Sequence, residues 1–520
     1  MACNKKALPS LINEVMESNR VSYNHILKYT GIFGGIQGVN ILFALVRNKF
    51  VALILGPDGM GLVSLFNSTV KLVSDSTNFG IHISAVKNIS EALSKNDGYE
   101  VEKNIAIVRS WSLLVALFGM LVCMLTGSML DNIAFSWGDH SLHFILLSPI
   151  VGMAAITGGE TAILKGTQKL RGLAAISSLN IIFALVTTIP IYYIWGESGI
   201  IPSLIVVAVI QMLLTIRYSS RKYPLKFDFS KAALGRGGGM IKLGVAFVLA
   251  GIMGSGIDFA IRSFLNNYGA LDTVGLYNAG YVITLSYAGM VFSAMESDYF
   301  PRLSAITSDT AARNIAINNQ IEVLLLLISP MIVAFIVFMP VIVPLLLSSK
   351  FLPSIEMMQV MVLSLYGRAL VLPMQYLPLS RADSRSYLLL EAIYDVLLFS
   401  ATALLYINFG LIGAGVAITL VGLIDVFVTI FFLRLRYSYV FSRNVMKYVV
   451  VQVPLGICAL AISFLINGCM YWCFGVLLVA CSILFSYMIL RQKVKLWKKL
   501  SDKFLNILKI KSKRGDDGES

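Results

Sequence analysis

The chain holds 520 residues, 57% of them hydrophobic and only 13% charged, with a formal charge of +14 and a mean hydropathy of +0.78. Soluble globular chains carry about 25% charged residues, so this deficit excludes an ordinary soluble enzyme and points to side chains that face lipid or other helices. The excess Lys and Arg would suggest nucleic acid in a soluble chain, but here they lie between apolar runs and read as membrane-orientation signals.

In chain order, Met1–Asn24 is polar and lacks the apolar core of a cleavable signal, so the first apolar helix is expected to direct insertion. Crossing the hydrocarbon core takes about 20 apolar residues. Fourteen stretches meet that length, at 28–55, 61–84, 106–130, 143–164, 172–195, 198–217, 240–264, 273–297, 321–347, 355–380, 386–408, 411–434, 444–467 and 470–490. Alternate loops differ sharply in charge. One set carries Lys87, Lys95 and Lys103, then Lys165, Lys169 and Arg171, then Arg217 to Arg236, and further on Arg302, Arg313, Arg381, Arg385 and Arg434 to Lys447. The other set, from Gly56–Met60 to Asn467–Cys469, holds only Lys350. The basic set is therefore expected inside, with both termini cytoplasmic.

A weak self-match at an offset of 213–216 residues pairs Phe43–Arg47 with Phe259–Arg262, Gly56 with Gly269, Gly61-Leu62 with Gly275-Leu276, and Lys165 and Lys169 with Arg381 and Arg385. Six spans separate the copies, so both run in the same direction, as in transporters built from parallel repeats. The expected layout is a cytoplasmic segment (1–27), an N-lobe of six spans (28–217), a cytoplasmic inter-lobe loop (218–239) and a C-lobe of six spans (240–436). Two added spans (444–490) and a basic tail (491–520) complete it. Gly235-Arg236-Gly237-Gly238-Gly239 lacks a preceding strand and reads as part of the flexible loop, not as a phosphate cradle.

Ionisable groups inside a bilayer are costly and usually face a cavity or a partner. Gln37, Asn40 and Arg47 share a stripe on the first span, and Asn67, Lys71, Ser74, Asp75 and Asn78 share one on the second. Gly251, Ser255, Asp258 and Arg262 line up on the seventh. Tyr277, Tyr281 and Thr284 line up on the eighth. Arg368 lies mid-helix on the tenth, Glu391 and Asp395 one turn apart on the eleventh, and Asp425 on the twelfth. Asp258 and Arg262 also fit a structural i,i+4 pair. Lys49 fits a snorkelling residue, and Glu160 with Lys165 and Lys169 fits the inner interface. The four histidines show no metal-ligand spacing, no P-loop is present, and the cysteines read as small buried hydrophobes. In the tail, Trp497, Leu500, Phe504 and Leu508 form a stripe flanked by Lys495, Lys498, Lys499 and Lys503, as expected of an interfacial helix.

The segment Asn40–Leu62, with Arg47 in its helix and Gly56, Pro57, Gly59, Gly61 and Leu62 at its turn, resembles the first hairpin of Wzx-type polysaccharide flippases. These belong to the multidrug/oligosaccharidyl-lipid/polysaccharide (MOP) exporter superfamily. Leu164-Lys165-Gly166-Thr167-Gln168 is similar to that family's turn after helix four. The resemblance covers 25–435. It implies an all-α integral membrane fold of about 14 helices, with two six-helix lobes in a MATE-like parallel repeat plus two C-terminal helices. It also implies a non-enzymatic flippase that moves an undecaprenyl-diphosphate-linked oligosaccharide, an O-antigen or related unit, across a bacterial inner membrane. Arg47 and Arg262 would be cavity cations, with Lys71, Arg368 and Asn40 as further substrate contacts. Asp258, Glu391 and Asp395 would couple Na+ or H+, with no other cofactor and no metal. Implied partners are the lipid-linked substrate, membrane lipids, and polymerase and ligase machinery, with no nucleic acid. A cation-coupled multidrug exporter of the MATE type is the alternative. A membrane enzyme would need a larger outer loop than Leu130–Leu142, which carries only Asp131, Asp139 and His140.

Overall fold

A straight helix of 54 residues is about 81 Å long, more than twice the hydrocarbon core it has to fit. Ser384–Tyr437 has that length and breaks at Gly410 (φ 60, ψ −143). Ala7–Thr77 has the same problem and breaks at Gly56 (φ 68, ψ −167), which is followed by Pro57. Both breaks use the left-handed region that glycine enters without a Cβ penalty. A third long stretch, Gly172–Ser220, turns through a short 3₁₀ segment at Gly196–Gly199. All three turns fall at loops that the charge pattern places outside.

In the computed structural model of the chain, the described residues are 7–135, 141–287, 289, 291–292, 299–300, 303–304, 306, 310–381 and 383–493. The expected interfacial stripe Trp497–Leu508 lies outside them. The helices are α1 (Ala7–Thr77), α2 (Ile81–Ser94), α3 (Gly98–Ala134), α4 (Ser141–Gly166), α5 (Leu170–Trp195), α6 (Ile200–Ser220) and α7 (Lys231–Tyr268). Then come α8 (Leu271–Gly280, continued by a π-helical turn Tyr281–Tyr287), α9 (Thr310–Leu346) and α10 (Ile355–Met361). The last four are α11 (Ser364–Ser380), α12 (Ser384–Tyr437), α13 (Arg443–Leu465) and α14 (Cys469–Lys493). Among the described residues nine helices are long and apolar enough to cross a membrane, or ten with the bent pair Ser349–Met361 and Ser364–Ser380. The protein is an all-helical, multi-pass membrane protein.

Two compact units divide the chain: Met1–Gly275 with Leu346–Ser348, and Leu276–Leu345 with Ser349–Ser520. In the first unit α3 packs on α4, α4 on α6, and the arms of α1 on α5 and α7. Its core includes Ala85, Ile89, Ile105, Val108 and Ile163, all buried. A buried ion pair fastens the end of this unit that the charge pattern places inside. Arg109 donates from Nε to Glu160 Oε1 (2.7 Å) and from Nη2 to Glu160 Oε2 (3.1 Å) and Ser219 Oγ (3.1 Å). From Nη1 it also donates to the carbonyls of Tyr223 (3.1 Å) and Pro224 (2.6 Å). Glu160, expected at the inner interface, is 4% exposed in this clasp.

The segment expected as a loop over 218–239 ends at Ser230. Ser230 Oγ caps α7 by accepting Ala233 N at 3.2 Å, so Gly235–Gly239 is helical and not a flexible loop. The second span also ends earlier than its apolar run suggests, at Thr77. There Asn78 Oδ1 accepts Gly80 N (2.7 Å), and Phe79 (φ 51) and Gly80 (φ 66) break the helix.

The repeat noted in the sequence becomes a contact. A Cβ on Gly61 would stand 2.2 Å from the Leu271 carbonyl oxygen, and one on Gly275 would stand 1.9 Å from that of Pro57. Pro57 and Leu271 are themselves 214 residues apart, as are Gly61 and Gly275. The two first turns therefore pack through repeat-related glycines.

In the second unit α11 packs on α12, α10 on α12, and α13 on α14. Ile317, Ile321, Leu370, Met374, Leu377 and Leu433 are buried in its core. Arg313, expected as an orientation charge, is 1% exposed and donates to the Tyr437 carbonyl (3.0 Å). Gln452 ties α13 to α14 by donating to Ser486 Oγ (2.9 Å) and accepting from Ser482 Oγ (2.7 Å). Among the described cysteines Cys123 is buried, but Cys458, Cys469, Cys473 and Cys481 are exposed, contrary to the sequence expectation. They lie on α13 and α14, whose outward faces are apolar and suited to lipid.

Candidate functional site

The polar stripes read separately from the sequence meet each other in the first unit. The 57–77 arm of α1 lies against α7, and its Ser64 Oγ accepts from Arg262 Nε at 2.6 Å. Arg262, 5% exposed, also closes an ion pair on Asp258, one turn earlier on α7. Asp75 meets the side chain of Ser255, and Lys71, exposed, lies one turn before Asp75 within range of its charge. Each buried charge here has an opposite charge or a hydroxyl at hand, which is what makes its burial tolerable.

Arg47 is placed on a different neighbour. It is half-buried beside Tyr192 of α5, whose hydroxyl lies 2.7 Å from Ser203 Oγ of α6. Its Nε has no hydrogen-bond partner among the described residues, and neither does Oδ1 of Asn40, two turns earlier on the same helix and 5% exposed. Arg47 and Arg262 both belong to the first unit.

The second unit holds the other predicted residues. A cavity of about 340 Å³ is lined by Arg368, Glu391, Asp425, Tyr376, Tyr387 and Tyr394. Arg368 is exposed to it and stacks its guanidinium 5.7 Å from the Phe292 ring. Glu391 hydrogen-bonds Tyr387 and lies within electrostatic reach of Arg368. Asp395, one turn on, is 7% exposed with Oδ2 unpartnered among the described residues. Asp425, 8% exposed, accepts from Thr429 Oγ1 at 3.1 Å. Asp425 was visible in the sequence as a charge in an apolar helix, but only packing shows that it shares a cavity with Arg368 and Glu391. Two carboxylates, Glu391 and Asp425, share the cavity with one guanidinium, and Asp395 lies within electrostatic reach of Glu391, an excess of negative charge that a proton or a cation would relieve. Asp258, the remaining predicted coupling group, belongs to the first unit, where it pairs with Arg262.

A second cavity, of about 540 Å³, opens in the first unit among α2, α4 and α6, with His82, Lys165 and Gln211 in its lining. Sequence reading passed over it. Lys165 reads in the sequence as an orientation charge, a repeat partner of Arg381 and part of the turn after helix four, the histidines show no metal-ligand spacing, and no spacing rule brings α2, α4 and α6 together.

A family model described as "Polysaccharide biosynthesis protein" matches residues 50–356, more than half of the chain. No curated protein matches the sequence. Among solved structures, an inward-facing multidrug resistance MATE family transporter of the MOP superfamily aligns with a TM-score of 0.63 at 16% identity, covering 78% of this chain and 96% of that one. The lipid II flippase MurJ, in an inward closed conformation, aligns with a TM-score of 0.63 at 15% identity, covering 89% and 99%. A MOP superfamily transporter from Pyrococcus furiosus, described as having a binding pocket of reverse polarity, aligns with a TM-score of 0.55 at 14% identity, covering 79% and 95%. At these identities the likeness establishes the fold.

Proposed function

Because the chain belongs to the polysaccharide biosynthesis protein family, whose model spans more than half of it, we propose that it is a flippase for an undecaprenyl-diphosphate-linked oligosaccharide, an O-antigen or related unit. It works by alternating access in a bacterial inner membrane, with both termini cytoplasmic and without catalysing a reaction. Family membership carries this reading. The membrane-embedded cations support it, because an anionic diphosphate taken out of water needs fixed positive charge.

Arg47 is the best disposed of these cations, since its Nε is unpartnered and Asn40 shares its stripe. Arg262 reaches a diphosphate only by exchanging Asp258 for it, so substrate arrival would release a carboxylate. Lys71 and Arg368 are further contacts. Glu391 and Asp395, with Asp425, are the coupling groups for H+ or Na+. Polysaccharide polymerase and ligase machinery would take the product.

Reconstitution with lipid-linked oligosaccharide, read by accessibility of the sugar from each leaflet, tests the proposal. Movement that requires the protein is expected, and no movement in either direction refutes it. A cation-coupled multidrug exporter is the second reading, favoured by the carboxylates and tyrosines around the cavity of about 340 Å³. Efflux of a cationic dye without movement of lipid-linked sugar would establish it in place of the flippase.

A further inference from the structure

The cavity among α2, α4 and α6 has charged lining of one sign only. Lys165 and His82 line it and no Asp or Glu does. The Lys165 ammonium and the His82 imidazole lie close enough to interact electrostatically. His82 is brought there by the break at Asn78–Gly80, which ends α1 and restarts the chain as α2 at Ile81, the residue before it.

Along α4 the lining changes character with depth. Lys165 lies in the last turn of α4, Thr161 and Thr157 follow towards its middle, and Ala154, Met153 and Ile150 form the far end. Fifteen residues of helix are about 22 Å, so the cavity extends from the inner end of α4 to well inside an apolar layer about 30 Å thick. Gln211 of α6 adds an amide beside the middle section. A smaller cavity of about 230 Å³ shares His82, Ala154 and Gly158 with it and continues past the polar groups Ser74, Asp75 and Ser112 toward Val115 and Val151.

This sequence of cation, then hydroxyl and amide, then apolar wall, ordered by depth, has the polarity profile of a lipid standing in the inner leaflet. A free anion would use only the outer end, and a hydrocarbon only the inner. The geometry points to a binding site for a phosphate-headed lipid in the first unit, its phosphate between Lys165 and His82, its linkage region against Thr161, Thr157 and Gln211, and its chain along Ala154, Met153 and Ile150. Two lipids present that chemistry, an anionic phospholipid and a polyprenyl phosphate. None of these residues was assigned to transport above, so the site stands or falls independently of the flippase reading.

Native mass spectrometry of the delipidated full-length protein, titrated separately with phosphatidylglycerol, polyprenyl phosphate and inorganic phosphate, tests it. One lipid molecule is expected to be retained, and whichever of the two lipids is held more tightly identifies the source. The K165Q/H82Q double variant should lose about ten-fold or more in lipid affinity, as expected when the charge-assisted contact of Lys165 and the hydrogen bond of the His82 imidazole are both removed. A154W, which fills the apolar end, should lose chain binding while sparing any residual phosphate adduct. K169Q, altering a neighbouring exposed lysine outside the cavity, serves as the control and should bind as the parent does. Unchanged lipid retention in K165Q/H82Q overturns the site, as does inorganic phosphate competing as well as the lipids. Should A154W fail to fold, the double variant with its control still decides the matter.

Discussion

Replacing Glu160 by Gln keeps the shape of the Arg109–Glu160 clasp and removes its negative charge. Arg109 is 3% exposed and would be left as a buried guanidinium with only neutral partners, namely the amide oxygen of the new side chain, Ser219 Oγ and two carbonyls. Breaking a buried pair from one side costs about 3–5 kcal/mol, because the surviving charge keeps its desolvation penalty. Replacing both residues by Met avoids the stranded charge, and elsewhere such swaps are often neutral. Here they should not be neutral. The Tyr223 and Pro224 carbonyls, both part-buried, lose their donor, and each such acceptor left without one costs about 1 kcal/mol, the low end of the range for buried groups. Both variants should therefore melt several degrees below the parent in detergent, followed by loss of the monodisperse chromatographic peak on heating, with Arg109→Met/Glu160→Met no better than about 2 kcal/mol short of it. A Glu160→Gln protein that melts with the parent would refute the claim that this clasp holds that end of the unit together. A neutral double variant would refute the role given to the carbonyls.

Arg47→Gln should abolish surface polysaccharide in a complemented transporter-null strain while leaving membrane abundance unchanged; normal polysaccharide would remove Arg47 from the substrate path. Arg262→Gln should lower abundance as well, since Asp258 loses its partner, and Arg262→Gln/Asp258→Asn should restore abundance without restoring transport. Gly275→Ala should prevent folding, because its Cβ would stand 1.9 Å from a backbone oxygen, whereas Gly235→Ala meets nothing within 4 Å and should stabilise α7 by about 1 kcal/mol; equal expression of the two variants would contradict the packing. Hydrogen bonds from Tyr437 and Ser386, with Arg436 nearby, hold the carboxyl of Asp383 down from 3.8 to about 2. A depressed folded-state value gives stability that is present above pH 3.8 and lost as pH falls toward 2, so Asp383→Asn should flatten the acid arm of a melting-temperature profile in that interval, and parallel profiles would refute it.

Apolar run length and loop charge carried most of the architecture in the sequence, because lipid demands both. Gly56 and Gly410 stood out at the ends of long apolar stretches where no basic residue intervened, and the chain breaks there. The glycine-rich start of α7 misled because propensity is local, whereas Ser230 caps the helix and Ala233 is packed into the core beside Ala85 and Ile89. The stripe on α7 was legible, but that it would face the stripe of Ser64 and Asp75 was not, since periodicity gives a face without its neighbour. Arg109 and Glu160 are 51 residues apart on different helices, and no pattern announces such a pair. Asp425 and the cavity at His82 and Lys165 went unassigned for the same reason: each is made by helices that meet only after folding.

The Pro57–Gly275 and Leu271–Gly61 approaches are one contact written twice. If the two halves descend from one ancestral half, that ancestor met a second copy of itself through this turn, as subunits of a symmetric dimer do. Fusion into a single gene then freed each half to change, yet at this turn neither could acquire a side chain, because the obstacle is the other half's backbone and backbone cannot mutate out of the way. Divergence elsewhere has left the repeat barely recognisable. On that descent, a constraint inherited from a dimer continues to act within one chain.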